Sequence, residues 1–167
     1  MFLLIPVALA HVGLESPEPR YETDGFSANK SCPCGTGAND TLCSNAAERS
    51  DPNRDATRVT TYTAGETITI SAHEVIGHSG RWRVAFDEDG ADMSDFNSNI
   101  LLDIEAPPGG AGNTGIGDLW EFVVTLPNTP CDNCTLQLIQ VMNGNTVDLV
   151  PDPTGMSTYY QCADIAL

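Results

Sequence analysis

The chain has 167 residues, with 23 acidic against 7 basic side chains and a net charge of −16. That length suits one domain with a sizeable core, and the charge repels a polyphosphate, which excludes nucleic acid as a partner. The same surface tolerates a neutral polymer and concentrates cations.

The first residues read as a leader. Residues 2–10 (FLLIPVALA) form an apolar run closed by Ala8-Leu9-Ala10, the h-region and small-x-small cleavage site of a secretory signal peptide. Cleavage after Ala10 makes His11 the first residue of the mature chain, residues 11–167. A histidine in that position offers a metal two nitrogens, its amine and its imidazole. Beyond the leader no apolar run approaches the roughly 20 residues that a membrane helix requires. The processed protein is therefore expected to be secreted, off the membrane and monomeric. Six cysteines in an exported chain predict three disulfides. Cys32-x-Cys34 and Cys131-x-x-Cys134 have partly suitable spacing for a thiolate metal site, but an oxidising compartment favours disulfides, whose connectivity the spacing leaves open.

Residues 12–56 show no sustained period and are rich in Pro, Gly, Ser, Asn and Asp. They predict a long loop region held by disulfides. From Thr57 the pattern alternates. Strands are expected over Thr57–Thr63 and Glu66–Ala72, separated by Ala64-Gly65, and over Arg81–Asp87, with Trp82, Val84 and Phe86 on one face. Asp87–Asp95 reads as an exposed acidic turn, Ile100–Ile104 as a short strand and residues 107–115 as a flexible loop. Leu119–Leu126 and Thr135–Met142 are strong strand candidates; Asn143-Gly144 follows the latter as a hairpin signal. A last strand spans Thr158–Ala166. No stretch has helical period. The expectation is an all-β, antiparallel, immunoglobulin- or fibronectin-III-like sandwich of seven or eight strands, as one domain.

The chain has three histidines, His11, His73 and His78. The last two lie in SAHEVIGHSGRW, expected as a loop between strands, where a rigid sandwich would hold a site. One of them with His11 supplies two imidazoles and one amine, a donor set that suits tetragonal Cu(II) better than tetrahedral zinc. The chain has no G-x-S-x-G elbow, no H-E-x-x-H and no P-loop, and no pair of carboxylates stands out for glycoside hydrolysis.

His11, the segment His78–Phe86 (HSGRWRVAF), the segment Cys131–Gln137 (CDNCTLQ) and the ending Tyr159–Ile165 (YYQCADI) together resemble lytic polysaccharide monooxygenases, closest to the bacterial chitin-binding-type branch. The resemblance runs from His11 to the end, in order. It implies a copper enzyme that oxidatively cleaves glycosidic bonds in an insoluble polysaccharide, chitin or cellulose. An external electron donor and O2 or H2O2 would be its co-substrates. His11 and His78 match the family's histidine brace, whereas His73 does not. Tyr159, with Tyr160 as its competitor, falls at the axial aromatic position, and Arg83 and Gln161 match outer-shell positions. The late motif implies a Cys134–Cys162 disulfide; the other four cysteines would then close the N-terminal loop region, with Cys34–Cys43 and Cys32–Cys131 as the expected pairing. Tyr21 and Phe26 are expected as surface contacts to the polymer. Two other readings stay open: a copper-binding protein with the same brace and no oxidase activity, and a surface sandwich domain that only binds glycan.

Overall fold

The computed structural model describes residues 12–21, 33–35, 50–74, 80–106, 118–142 and 158–167. Its strands are β1 (Val12–Ser16), β2 (Thr60–Thr61), β3 (Thr67–Glu74), β4 (Gly80–Asp87), β5 (Ile100–Ala106), β6 (Asp118–Thr125), β7 (Cys134–Met142) and β8 (Thr158–Ala166). They form a three-stranded sheet in the order β1-β3-β6 and a five-stranded sheet in the order β2-β8-β7-β4-β5. All pairings are antiparallel except the short β2–β8 contact, which is parallel. The all-β sandwich expected from the alternation is the fold.

The three-stranded sheet keeps one wet face. In β3, Ile68, Ile70, Ala72 and Glu74 are buried, while Thr67, Thr69, Ser71 and His73 point outward. Phe122 and Val124 of β6 and Val12 and Leu14 of β1 complete the inner face. They meet Trp82, Val84, Phe86, Leu136, Leu138, Tyr159, Ala163 and Ile165 from the other sheet in one core. Burying each large apolar side chain there contributes roughly 1.5–3 kcal/mol.

The central strands of the five-stranded sheet are buried on both faces, so β4 and β8 lose the simple alternation of a half-wet strand. Its outer face is covered by a helix absent from the sequence reading, α1 (Met93–Ser98). Met93, Phe96, Ala85, Ile139, Tyr160, Cys34 and Cys162 form a second apolar cluster there, with Tyr21 at its margin. At six residues α1 is too short to print a helical period, but its cap is plain: Asp92 accepts from the backbone N–H groups of Ser94 and Asp95, both at 3.0 Å.

The acidic stretch before it is not an exposed turn. Asp87 is completely buried and accepts from the N–H groups of Asp89, Gly90 and Asp92 at 3.0, 2.9 and 2.7 Å. β1 also corrects the expected long loop, which hid a strand of alternating Val12 and Leu14. The strand expected over 57–63 shrinks to β2, and the two consecutive strands join different sheets. Gly65 makes that turn at φ +78°, donating its N–H to Pro127 O; a Cβ there would collide with the Asn128 side chain.

The disulfides differ from the implied pairing. Cys34 bonds Cys162, and Cys131 bonds Cys134. Register is the reason: Cys134 lies opposite Ile165 and Cys162 opposite Gln137, so Cys134 and Cys162 stand three positions apart on neighbouring strands. Cys34 is engaged with Cys162 and Cys131 with Cys134, which overturns Cys34–Cys43 and Cys32–Cys131 as well. Cys32 and Cys43 themselves lie outside the described residues.

Candidate metal centre

Strand register defines one end of the sandwich. Val12 at the start of β1 pairs with Glu74 at the end of β3, which pairs with Asp118 at the start of β6. In the other sheet, Gly80 at the start of β4 pairs with Ala106 and Met142, and Val141 pairs with Thr158. Residues 75–79 join the two sets, so both belong to the same pole. The strand ends Ala106, Asp118, Met142 and Thr158 also lie at it. Position 11 immediately precedes buried Val12, and position 78 precedes Gly80 by two residues. His11 and His78 lie outside the described residues, and what the structure brings to this pole is their sequence neighbours.

Beneath the pole runs a polar bridge that the sequence reading missed. Glu74 is completely buried and accepts from Trp120 Nε1–H at 2.8 Å and from Gln140 Nε2–H at 2.6 Å. The first donor belongs to β6 and the second to β7, so one carboxylate ties the two sheets together. A signal for it existed: Glu74 continues the inward series Ile68, Ile70, Ala72. Next to the bridge, Trp82 is paired in register with Gln140 and is fully buried.

Of the two candidate axial tyrosines, Tyr159 faces the inner core and Tyr160 faces the outer cluster under α1. Tyr159 shares its cluster with Val12, Ala72 and Trp82 and pairs in register with Gln140. Burial pushes its pKa up to about 12, so it stays a neutral phenol at ordinary pH.

His73 is not in a loop. It stands in β3 on the outer face of the three-stranded sheet, with Nε2 2.8 Å from Glu15 Oε1. Arg83 points to the opposite side of its own sheet, donating to Asn97 Oδ1 at 2.8 Å and Gln137 Oε1 at 3.3 Å, where it anchors α1. Desolvation lowers its pKa without discharging it. Gln161 is inward, and its Oε1 accepts the N–H of Leu14, fastening β1 to β8. Tyr21 is half-buried and donates to Asp51 Oδ2 at 2.7 Å; its pKa is pushed up chiefly by burial. Phe26 lies outside the described residues.

The opposite pole is also polar inside. Arg20 donates to Asp164 from Nε at 3.1 Å and from Nη2 at 2.5 Å, and to Asp51 O and Thr135 Oγ1 at 3.1 Å. Arg54 reaches Asp164 at 3.3 Å and the carbonyls of Cys134, Asp132 and Ile165. Asp87, Asp89 and Asp95 bring carboxylate oxygens within 4.8 Å of one another beside it.

A family model described as copper acquisition factor BIM1-like matches residues 9–167. The chain belongs to the BIM1-like copper acquisition factor family. Copper, the metal expected from the donor set, is the metal of this family. Among solved structures, an AA10 lytic polysaccharide monooxygenase from Streptomyces lividans is 13% identical, with 98% of this chain and 84% of that chain aligned at a TM-score of 0.53. A lytic polysaccharide monooxygenase AA15 from Thermobia domestica in the Cu(I) state is 20% identical over 64% of this chain, at a TM-score of 0.48. This chain spans only 60% of that second protein's length. No curated protein sequence matches. The family member thus has a sandwich like that of lytic polysaccharide monooxygenases.

Proposed function

We propose that this chain is a secreted copper protein that holds one copper ion at the loop pole and uses it to cleave an insoluble polysaccharide oxidatively. The observation that carries the reading is the shared pole: Val12, which follows His11, and Gly80, which follows His78 by two residues, end at the same edge of the sandwich. The donors would be the His11 amine and ring, exposed by cleavage after Ala10, and the His78 ring. The buried Glu74 carboxylate beneath the pole and the net charge of −16 both favour a cation there.

Bound copper would supply one-electron redox chemistry at a surface open to a polymer too large for any cleft. The chain's own residues do the rest. Glu74, Gln140 and Trp120 stiffen the floor of the site. Tyr159 presents a neutral, dry aromatic side chain there, and Gln161 fixes β1, hence the direction in which the N-terminus leaves the sheet. The partners of this reading are chitin or cellulose, an external electron donor and O2 or H2O2, with the protein acting as a monomer. The membership of the bacterial chitin-binding-type branch is part of the same proposal.

A second reading is favoured by the family itself: copper capture and transfer without turnover. The processed chain incubated with insoluble chitin or cellulose, a reductant and peroxide decides between them. Reductant-dependent release of oxidised oligosaccharides supports the enzyme. Stoichiometric copper binding with no soluble products overturns it in favour of acquisition.

A further inference from the structure

The C-x-x-C spacing of Cys131 and Cys134 is a motif that the loop pole leaves unused. The structure closes it as a disulfide across a sequence separation of 3, whereas Cys34–Cys162 spans 128. A cross-link restricts the unfolded chain through the loop it closes, so the short bridge adds the least to the fold. The two bridges are also placed differently. Cys34 and Cys162 are both buried, in the cluster under α1. Cys134 is completely buried at the first position of β7, but Cys131 is only half-buried, and Asp132 and Asn133 between them are exposed.

The turn has other bonds to hold its shape. Cys131 donates its N–H to Leu167 O at 3.3 Å, and its carbonyl accepts the Leu167 N–H at 2.8 Å. Cys134 pairs in register with Ile165. Arg54 spans the turn, donating to Asp132 O at 3.1 Å, to Cys134 O at 2.9 Å and, on β8, to Ile165 O at 2.8 Å. These bonds hold the two cysteine backbones, whose Cα atoms are 5.8 Å apart, on one turn whether or not the sulfurs are joined. Cys131 is the more accessible residue, so an incoming thiolate attacks its sulfur and Cys134 is the leaving group. The guanidinium beside Cys134 favours the thiolate that leaves.

We propose that Cys131–Cys134 is an exchangeable disulfide whose reduced form is a Cu(I) site separate from the loop pole. Two equivalents of a small thiol supply the electrons. The first forms a mixed disulfide at Cys131 and releases Cys134, which takes up the thiol's proton. The second attacks the small-molecule sulfur of that mixed disulfide and releases Cys131, again with its proton. The small thiol leaves oxidised, as its own disulfide, and the protein gains two thiols. Cu(I) then displaces both thiol protons and is held between two thiolates, soft ligands that select it over harder cations. That complex carries one negative charge, and Arg54, whose other partner is Asp164, lies beside it to offset it. Cys134 stands at the opposite end of β7 from the loop pole, so this site does not require the pole to bind copper.

The test uses the full processed chain, equilibrated without oxygen in glutathione redox buffers and then alkylated. Peptide mass spectrometry should find Cys131 and Cys134 labelled together, in buffer that leaves Cys34–Cys162 closed and the circular dichroism unchanged. After removal of glutathione, Cu(I) is titrated into the oxidised and the selectively reduced chain against a chromophoric chelator. The reduced chain should take one Cu(I) more than the oxidised chain. The double variant Cys131→Ser, Cys134→Ser should lose that difference. Equal uptake by the two forms overturns the proposal, as does Cys34–Cys162 opening first or loss of the folded signal on reduction. The oxidised chain reports the pole alone, so failure of the pole and failure of the thiolate site are read separately.

Discussion

Glu74 and Asp164 are both completely buried carboxylates, at opposite ends of one sandwich, and they are held in different ways. Asp164 takes two arginines, Arg20 and Arg54, the second of which also donates to backbone carbonyls of β7 and β8. Among the described residues Glu74 takes hydrogen bonds from the neutral donors Trp120 and Gln140, directly below the pole at which Val12 begins β1 and Gly80 begins β4. The first arrangement closes the fold at the end where β4 and β8 finish. The second places negative charge under the pole proposed to hold copper. Burial alone does not say which role a carboxylate has; the charge of its partners does.

The contrast can be broken most strongly at the closed end. Arg20→Met takes the closest cation from buried Asp164, which keeps Arg54, and the ion pair from buried Asp51, and should cost about 3–5 kcal/mol in unfolding free energy, measured by urea denaturation. Glu74→Gln keeps the volume and removes one acceptor from a pair of neutral donors, so the same measurement should lose only about 1–3 kcal/mol. A larger loss for Glu74→Gln than for Arg20→Met would reverse the assignment of the two ends.

Asp87 sharpens it further, because it is buried with backbone donors only, among the described residues. Desolvation holds its pKa above the usual 3.8. A folded-state pKa above the unfolded one means that the fold binds the extra proton. Its contribution to stability is therefore greatest below 3.8 and is lost as pH rises through the folded value. Parent and Asp87→Asn stability curves should diverge across that window, the parent falling with rising pH relative to the variant. Parallel curves would show that the carboxyl is not destabilised by burial. The smallest effect belongs to His73, whose side chain is 42% exposed and pairs with Glu15 on the wet face. His73→Ala should change stability by no more than about 1 kcal/mol and leave copper affinity unaltered in a competition titration.

How much of this was legible depended on which faces are wet. Thr158–Ala166 was read to the residue, and Thr135–Met142 to within one, because β-branched and aromatic residues crowd both strands. β1 was lost because five residues that include Gly13 and are followed by Pro17 and Pro19 carry too little alternation. α1 was lost because two buried positions, Met93 and Phe96, cannot display a period. The disulfides went wrong because a spacing fixes neither register nor the fact that Cys162 faces outward, toward Cys34. At the candidate site, motif order singled out His11, His78 and Tyr159, and the described neighbours Val12 and Gly80 lie at one pole. It missed Glu74, Gln140 and Trp120, whose meaning appears only when two sheets are laid face to face.

The central claim is that a copper site is assembled from the cut N-terminus and one internal histidine. Copper titration of the secreted chain, with its N-terminus established by mass spectrometry, tests it most directly. The account predicts a chain that begins at His11 and binds one copper ion, with binding greatly weakened by His78→Ala or by one residue added before His11. A chain that begins elsewhere, or one whose affinity survives both changes, would contradict it.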